Sequence, residues 1–408
     1  MNKIFYFQHH KQHLKATFDL LTRIFRDGTY ADKAFESTMY QNKTWKGNER
    51  GFVAGLAYDI IRFWRLYTTA ADQEINYSDK FWNCILAAWL IHNDFEIPED
   101  KIFEKLPVKT ILERLQRFKT VRKIWESVPD WIDTLCEQEL GKDWDKILHA
   151  MNEPAPQFIR ANTLKTSVRD LQRELSLVKI ETMPVDYAPS ALQLTFTRNV
   201  FNTDAFRSGL FEMQDAASQK VSEYLRVLPG QRVVDACAGA GGKTLHLAAL
   251  MNNKGRILAL DTEPRKLEEL KKRYKRAGVA IIETRVIDTT KVIKRMYGTA
   301  DRLLLDVPCS GLGVLRRNPD TKWRLQPEEI ERLKKTQADI LQRYAPIVKP
   351  GGFMVYATCS ILPSEGEAQI MEFMKNNGAN WLLAEEQRYG PHTHNSDGFY
   401  IALLKRNT

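Results

Sequence analysis

A chain of 408 residues with 43% hydrophobic, 27% charged and 10% aromatic side chains holds enough apolar material for two or three packed domains, and this composition excludes fibrous, collagenous and low-complexity classes. Its longest apolar stretch, Phe81 to Ile91, is broken by Asn83 and falls short of the roughly 18 residues a membrane span needs, so no transmembrane helix is expected. Lys plus Arg number 60 against 51 Asp plus Glu; residues 1–150 sum to zero, so the whole +9 falls in residues 151–408 and favours a polyanionic partner there.

Five cysteines at irregular separations suit neither a disulfide framework nor a paired zinc site, and no metal is expected. The segment Met1 to His10 lacks the apolar core and small-residue cleavage site of a secretory peptide. A cytosolic protein with free thiols is the expectation.

From Gln8 to about Ile147 apolar residues recur every three or four positions, as in Leu14, Phe18, Leu21 and Ile24 or Ile111, Leu112, Leu115 and Phe118. This predicts an all-α helical bundle over residues 1–150, broken at Asp27-Gly28, Pro98, Pro107 and Val128-Pro129, with Asp130 as a helix cap. Seven of the nine Trp lie here, and helical spacing assigns them to packing, not to base stacking. The run Asn152-Glu-Pro-Ala-Pro156 then enforces extended chain and starts a second unit. A small α+β unit is expected over 151–210, with strands at Phe158–Thr163 and Ala191–Phe196 and a helix from Ser167, its cap, to Leu175.

Over residues 211–408 strand, turn and helix alternate. Strands are expected at Arg232–Asp235, Arg256–Asp261, Thr284–Asp288, Arg302–Asp306 and Gly352–Thr358, with helices at Thr244–Met251, Arg265–Ala277 and Pro327–Ile347. Such alternation predicts an α/β, Rossmann-like, doubly wound and mostly parallel sheet, with Gly398–Lys405 as an antiparallel addition at its edge.

The chemistry gathers at the strand ends. Val233 to Thr244 is an apolar strand entering the glycine turn Cys237, Ala238, Gly239, Ala240, Gly241, Gly242 and Lys243, which opens a helix and lets backbone N–H groups approach a ligand. It is not a P-loop, because Cys237 stands where the first glycine would be required. Asp261 follows Asp235 by 26 residues, where a carboxylate can accept both hydroxyls of a ribose. Four successive strands end in Asp235, Asp261, Asp288 and Asp306, and acids so placed are expected to line a ligand crevice. Cys309 and Cys359 each follow a strand end; if those strands are neighbours, the two sulfurs converge on the crevice, where a partly exposed thiol can act as a nucleophile. Spacing does not choose between them. Cys84 and Cys136 read as buried and inert, and Cys237 as structural.

The segments Asp235-Ala-Cys-Ala-Gly-Ala-Gly-Gly-Lys-Thr244, Asp306-Val-Pro-Cys-Ser-Gly-Leu-Gly313, Arg317-Asn-Pro-Asp-Thr-Lys-Trp323 and Ala357-Thr-Cys-Ser360 resemble the Sun (RsmB-like) family of RNA cytosine-C5 methyltransferases over about residues 140–408. The resemblance implies S-adenosyl-L-methionine as cofactor, held by the loop Cys237–Lys243 with Asp261 on the ribose, Asp288 near the adenine and Asp306 beside it. It further implies Cys359 as nucleophile on cytosine C6, Cys309 as the residue assisting release, and Asp306 as hydrogen-bond partner of the ring. In one respect the chain departs from the pattern Cys-Ala-Ala-Pro-Gly-Gly-Lys: Gly239 and Ala240 replace Ala and Pro, loosening φ at the second position.

RNA is the implied partner, ribosomal before transfer RNA. The cationic run Lys271-Lys-Arg-Tyr-Lys-Arg276 reads first as a solvated helix face, whereas Arg316 and Arg317, just after the first cysteine motif, and Arg160 and Asn162 in the α+β unit are candidate RNA contacts. A transfer-RNA methyltransferase and a catalytically silent ribosome-assembly factor are the alternatives. Two cysteines in one crevice argue against the silent factor and, with the Thr-Cys-Ser segment, against a DNA methyltransferase.

Overall fold

The computed structural model describes residues 7–408. The chain divides into two compact units: the residues up to Asn152 together with Leu315–Leu325, and Glu153–Val314 together with Gln326–Thr408.

The first unit is helical. Leu14, Leu21 and Ile24 of the helix Phe7–Phe25 pack with Leu56, Ile60 and Ile61 of Gly47–Arg62 and with Ile85 and Leu86 of Asp79–His92. Phe25 stacks on Trp64 with ring centroids 3.7 Å apart and Phe18 on Trp82 at 5.4 Å, so these indoles serve the core. Trp144 is fully buried and gives its indole N–H to Asp133 Oδ1 at 2.8 Å. Asp130, expected as a cap, is the first helical residue of Asp130–Leu140 and follows Pro129.

The segment Leu315–Leu325 reaches this unit from far along the chain. Trp323 donates its indole N–H to the Ile61 carbonyl at 2.6 Å, the Ala31 N–H donates to Asp320 at 3.2 Å, and Arg62 donates to the Arg316 carbonyl at 2.9 Å. The buried Arg316 carbonyl is satisfied in this way, and the other two bonds tie side chains of the segment to the unit's backbone.

The second unit contains two sheets. In the small one, β1 (Phe158–Ala161), β2 (Thr182–Pro184), β3 (Ala191–Leu194) and β4 (Phe211–Met213) pair in the order β2-β3-β1-β4, all antiparallel. Ser167 caps the helix Val168–Leu177 as expected, accepting from the Asp170 N–H at 3.0 Å. The expected strand Ala191–Phe196 stops at Leu194, and Phe196 is exposed.

The large sheet comprises β5 (Arg232–Asp235), β6 (Arg256–Asp261), β7 (Ile282–Val286), β8 (Ala300–Asp306), β9 (Val348–Thr358), β10 (Trp381–Tyr389) and β11 (Phe399–Arg406), in the order β10-β11-β9-β8-β5-β6-β7. From β9 to β7 all pairs are parallel, whereas β11 runs antiparallel to both β9 and β10. The interior strands are apolar on both faces: Val233, Ala259 and Leu304 join one core, Val234, Leu258 and Leu303 the other. Two expectations are corrected here. β11 is interior, because β10, a partly exposed strand carrying Glu385, Glu386 and Arg388, adds the true edge; and β7 ends at Val286, so Asp288 lies in the following turn.

Among the described residues no helix is long and apolar enough to cross a membrane.

Candidate active site

The strand order reverses at β5, whose neighbours are β6 and β8, and a crevice opens beyond the carboxyl ends of such strands. There a cleft of about 530 Å³ is lined by Cys237, Gly239, Asp261, Asp288 and Asp306 among others. This lies within the roughly 300–1,000 Å³ of small-molecule sites.

The loop after β5 is built by its glycines. Gly241 has φ +84°, caps the helix Gly242–Leu250, and sits so close to Leu270 that a Cβ would collide with it. Gly239 has φ +54° with open space before it, so the residue that departs from the family pattern adopts a backbone conformation natural to glycine. Its N–H donates to Asp261 Oδ2 at 2.8 Å, and the Glu263 N–H donates to Asp261 Oδ1 at 2.9 Å. Each oxygen keeps a lone pair for a further donor, so this carboxylate is held in the cleft wall with room for two more hydrogen bonds. Cleft size, exposed loop backbone and Asp261 together fit an adenosyl cofactor.

The other loop members have separate tasks. Ala238 packs in the core behind the loop, the Ala240 carbonyl accepts from Arg273 at 2.7 Å, and the Gly242 carbonyl accepts from Arg160 at 2.6 Å. Lys243 pairs with Asp306 at 2.7 Å; burial pulls its ammonium down, but Asp306 outweighs that and leaves its pKa raised. Burial drives the Cys237 thiol well upwards, in keeping with a structural role.

Asp235 is the exception among the four aspartates. It is 1% exposed, accepts from Thr244 Oγ1 at 2.7 Å behind the loop, and is pushed up to about 7, mainly by burial and also by Asp306. The folded state therefore retains a proton that the unfolded chain loses above its ordinary value of 3.8. Between those two pH values Asp235 should lower stability by about 1.4 kcal/mol for each rising pH unit. Equilibrium unfolding from pH 4 to 7 should show this loss in the wild type relative to Asp235→Asn, and parallel curves would refute it.

β8 and β9 are paired neighbours, with Asp306 opposite Ala357, so the loops that follow them start side by side. Cys309 Sγ and Cys359 Sγ lie 3.2 Å apart, although 50 residues separate them in sequence. The contact with Cys359, reinforced by burial, raises the Cys309 pKa well above the ordinary thiol value, so Cys309 keeps its proton and can donate it towards Cys359. The Lys243 ammonium also feels the Cys359 sulfur. Cys359 therefore has a neutral thiol on one side and a cation nearby on the other.

The candidate RNA residues are placed differently from the expectation. Arg160 and Asn162 are 2% and 5% exposed. Arg160 is bound to Gln214 and the Gly242 carbonyl, and Asn162 donates to the carbonyls of Gly209 and Ala277 at 2.8 and 2.9 Å. Both thus fasten the small sheet to the glycine loop after β5 and its neighbouring helix, and their surroundings are protein. Arg316 is buried, and Arg317 half-buried, in the segment that belongs to the helical unit. In the cationic run, Lys271 and Lys272 pair with Glu268 and Glu269, while Arg273 and Arg276 converge on buried Glu212. Cys84 and Cys136 are fully buried. Among the described residues no cluster of His, Cys, Asp or Glu is arranged to hold a metal ion.

The sequence reading passed over Glu365, Gln337 and the serines after both cysteines, which lie directly behind the sulfur pair. The repeated Cys-Ser dipeptide was the available signal.

A mostly parallel sheet with a glycine loop at its switch point, an acid on the next strand and a nucleotide-sized cleft is the arrangement of a Rossmann-like nucleotide-cofactor site. Residues 223–405 match the model of the 16S rRNA methyltransferase RsmB/F family, and residues 128–201 match its RsmF/B-like ferredoxin-like domain. The probable ribosomal RNA small subunit methyltransferase B of Synechocystis sp. is 37% identical over 298 residues, which cover 69% of this chain and 67% of that protein. Among solved structures, PH0851 matches with a TM-score of 0.81 at 25% identity over 96% of this chain and 98% of its own. A methyltransferase homolog protein from Pyrococcus horikoshii matches at 0.63 and 28% identity over 71% of this chain and 98% of its own. The chain belongs to the RsmB/F methyltransferase family.

Proposed function

We propose that this protein methylates C5 of a cytosine in RNA, ribosomal RNA of the small subunit before any other, using S-adenosyl-L-methionine. The observation that carries the reading is the 3.2 Å approach of Cys309 and Cys359, with Cys309 following directly on the cleft-lining residues Asp306, Val307 and Pro308. Cys359 attacks C6 as a thiolate, and the ring gains electron density at C5. Asp306, held by Lys243, hydrogen-bonds the ring as that density develops. Gly239 and Asp261 would hold S-adenosylmethionine, whose sulfonium would activate its methyl group for attack by C5, with S-adenosylhomocysteine as the leaving group. Loss of the C5 proton and departure of Cys359 then restore the aromatic ring, with Cys309 as the neighbour that assists the departure. The base must stand outside a helix for a thiol to reach C6.

The test is transfer of labelled methyl from S-adenosylmethionine to total RNA lacking 5-methylcytosine, followed by nucleoside analysis. Label in 5-methylcytidine of small-subunit RNA is expected; label in any other nucleoside would overturn the chemistry. Cofactor binding without transfer to any RNA would favour a ribosome-assembly factor. Asp261→Ala should weaken cofactor affinity on the order of 10²-fold, the worth of two hydrogen bonds to a charged group, with RNA affinity unchanged. Isothermal titration with the cofactor and filter binding with RNA separate the two effects, and equal losses would remove Asp261 from the ribose.

A further inference from the structure

We propose that Glu365 is a positioning residue that sets the distance between the two thiols by holding the residues after both cysteines from one carboxyl group. Its geometry stands without the cytosine chemistry, and its kinetic consequence rests on it.

The sheet ladder ends at Asp306 and Ala357, with the Val307 N–H still donating to the Ala357 carbonyl. Beyond this point the chains leave β8 and β9, and strand pairing no longer holds one loop to the other. Glu365, completely buried at the end of the short turn Pro363–Glu365, takes over. Its Oε1 accepts from the Ser310 N–H at 2.9 Å, and its Oε2 accepts from the Ser310 hydroxyl at 2.5 Å. The Ser360 hydroxyl donates to the same Oε2 at 2.5 Å, and the two hydroxyl oxygens are 3.3 Å apart. Ser310 adjoins Cys309 and Ser360 adjoins Cys359.

The carboxyl is itself anchored. Gln337, on the helix Pro327–Tyr344, donates to Glu365 Oε1 at 2.9 Å and to the carbonyl of Pro308, the residue before Cys309, at 3.0 Å. The Tyr356 hydroxyl, on β9, donates to the Glu365 carbonyl at 2.8 Å. A second tie between the loops, from the Gly313 N–H to the Cys359 carbonyl at 3.0 Å, lies on the backbone and leaves side-chain spacing to the Glu365 network. Both oxygens of the buried Glu365 carboxyl are thus occupied, and a carboxyl with two oxygens can serve two loops at once, which a hydroxyl or an amide cannot do with four donors.

Glu365→Gln keeps the shape but replaces one accepting oxygen with a donor; Glu365→Asp keeps the carboxyl but withdraws it by one methylene; Ser360→Ala removes a single tie. The first readout uses RNA-free protein. Diamide accepts the two thiol hydrogens as Cys309 and Cys359 join in a disulfide, and peptide mapping follows the rate. That rate should fall on the order of tenfold or more in Glu365→Gln and less in Glu365→Asp and Ser360→Ala, since misplacement by about 1 Å costs up to 10²-fold in reactions between held groups.

The second readout is turnover with RNA. In Glu365→Gln, kcat should fall about 10²-fold with KM for RNA and cofactor affinity unchanged, while covalently bound RNA accumulates because release is the step that needs both sulfurs. Wild-type disulfide and turnover rates in Glu365→Gln would overturn the proposal. So would loss of turnover together with cofactor affinity at an unchanged disulfide rate, the pattern of a merely structural residue. Slowed disulfide formation in a protein whose wild type makes no 5-methylcytosine would support the positioning role and remove the cytosine reading.

Discussion

Cys359→Ala is expected to lower methyl transfer to RNA on the order of 10⁴-fold or more, the scale of losses when a covalent nucleophile is removed. Affinity for S-adenosylmethionine should be unchanged, because the cleft walls at Gly239 and Asp261 are built by β5, β6 and their own backbone hydrogen bonds. The alternative nucleophile, Cys309, is the worse candidate on electrostatic grounds. Its proton is held by the contact with Cys359 and by burial, and the protonated thiol is the unreactive form. Side-by-side assays of Cys359→Ala and Cys309→Ala, scored for 5-methylcytidine and for cofactor binding, decide the matter. Residual activity in Cys359→Ala with none in Cys309→Ala would exchange the roles.

Cys309→Ser should produce a different defect. With Cys359 intact the attack proceeds, but the sulfur 3.2 Å from it is replaced by a harder, less acidic hydroxyl, and release of the methylated base is the step that suffers. RNA should remain bound through denaturing electrophoresis, most of the enzyme being trapped, while wild type releases its product and Cys359→Ala carries none. Cys309→Ser protein that is free of RNA and turns over normally would sink the assignment of Cys309 to release. A high-salt wash before the gel distinguishes a covalent adduct from tight binding, since an adduct at C6 resists dilution and salt but a purely electrostatic complex is lost as salt rises.

The sequence and the tertiary structure each contributed a separable part of this picture. Local patterns carried the alternation of strand, glycine loop and helix: β5, β6 and β8 end at the expected aspartates, because strand burial and turn chemistry are written within a few consecutive residues. β10 escaped because an edge strand exposed over most of its length carries polar residues where an interior strand would be apolar. β11 was consequently placed at the edge it does not occupy.

The site shows the same division. The residue types of the chemistry, the glycine loop, the aspartates and two cysteines after strand ends, were legible from the sequence because each is a local motif. The upward push on the Cys309 thiol, the inward-facing Asp235, and the binding of backbone carbonyls by Arg160 and Asn162 all depend on neighbours brought from far along the chain. The same holds for Leu315–Leu325, whose Trp323 and Asp320 bond to residues of the helical unit some 260 to 290 positions away. What the sequence determined alone was the class of fold and the chemical inventory, since both follow from short-range periodicity and residue type. The pairing of β8 with β9 and the burial of Glu365 between their loops were decided only by tertiary structure, because burial and hydrogen bonding are properties of what folds against a residue and not of what precedes it in the chain.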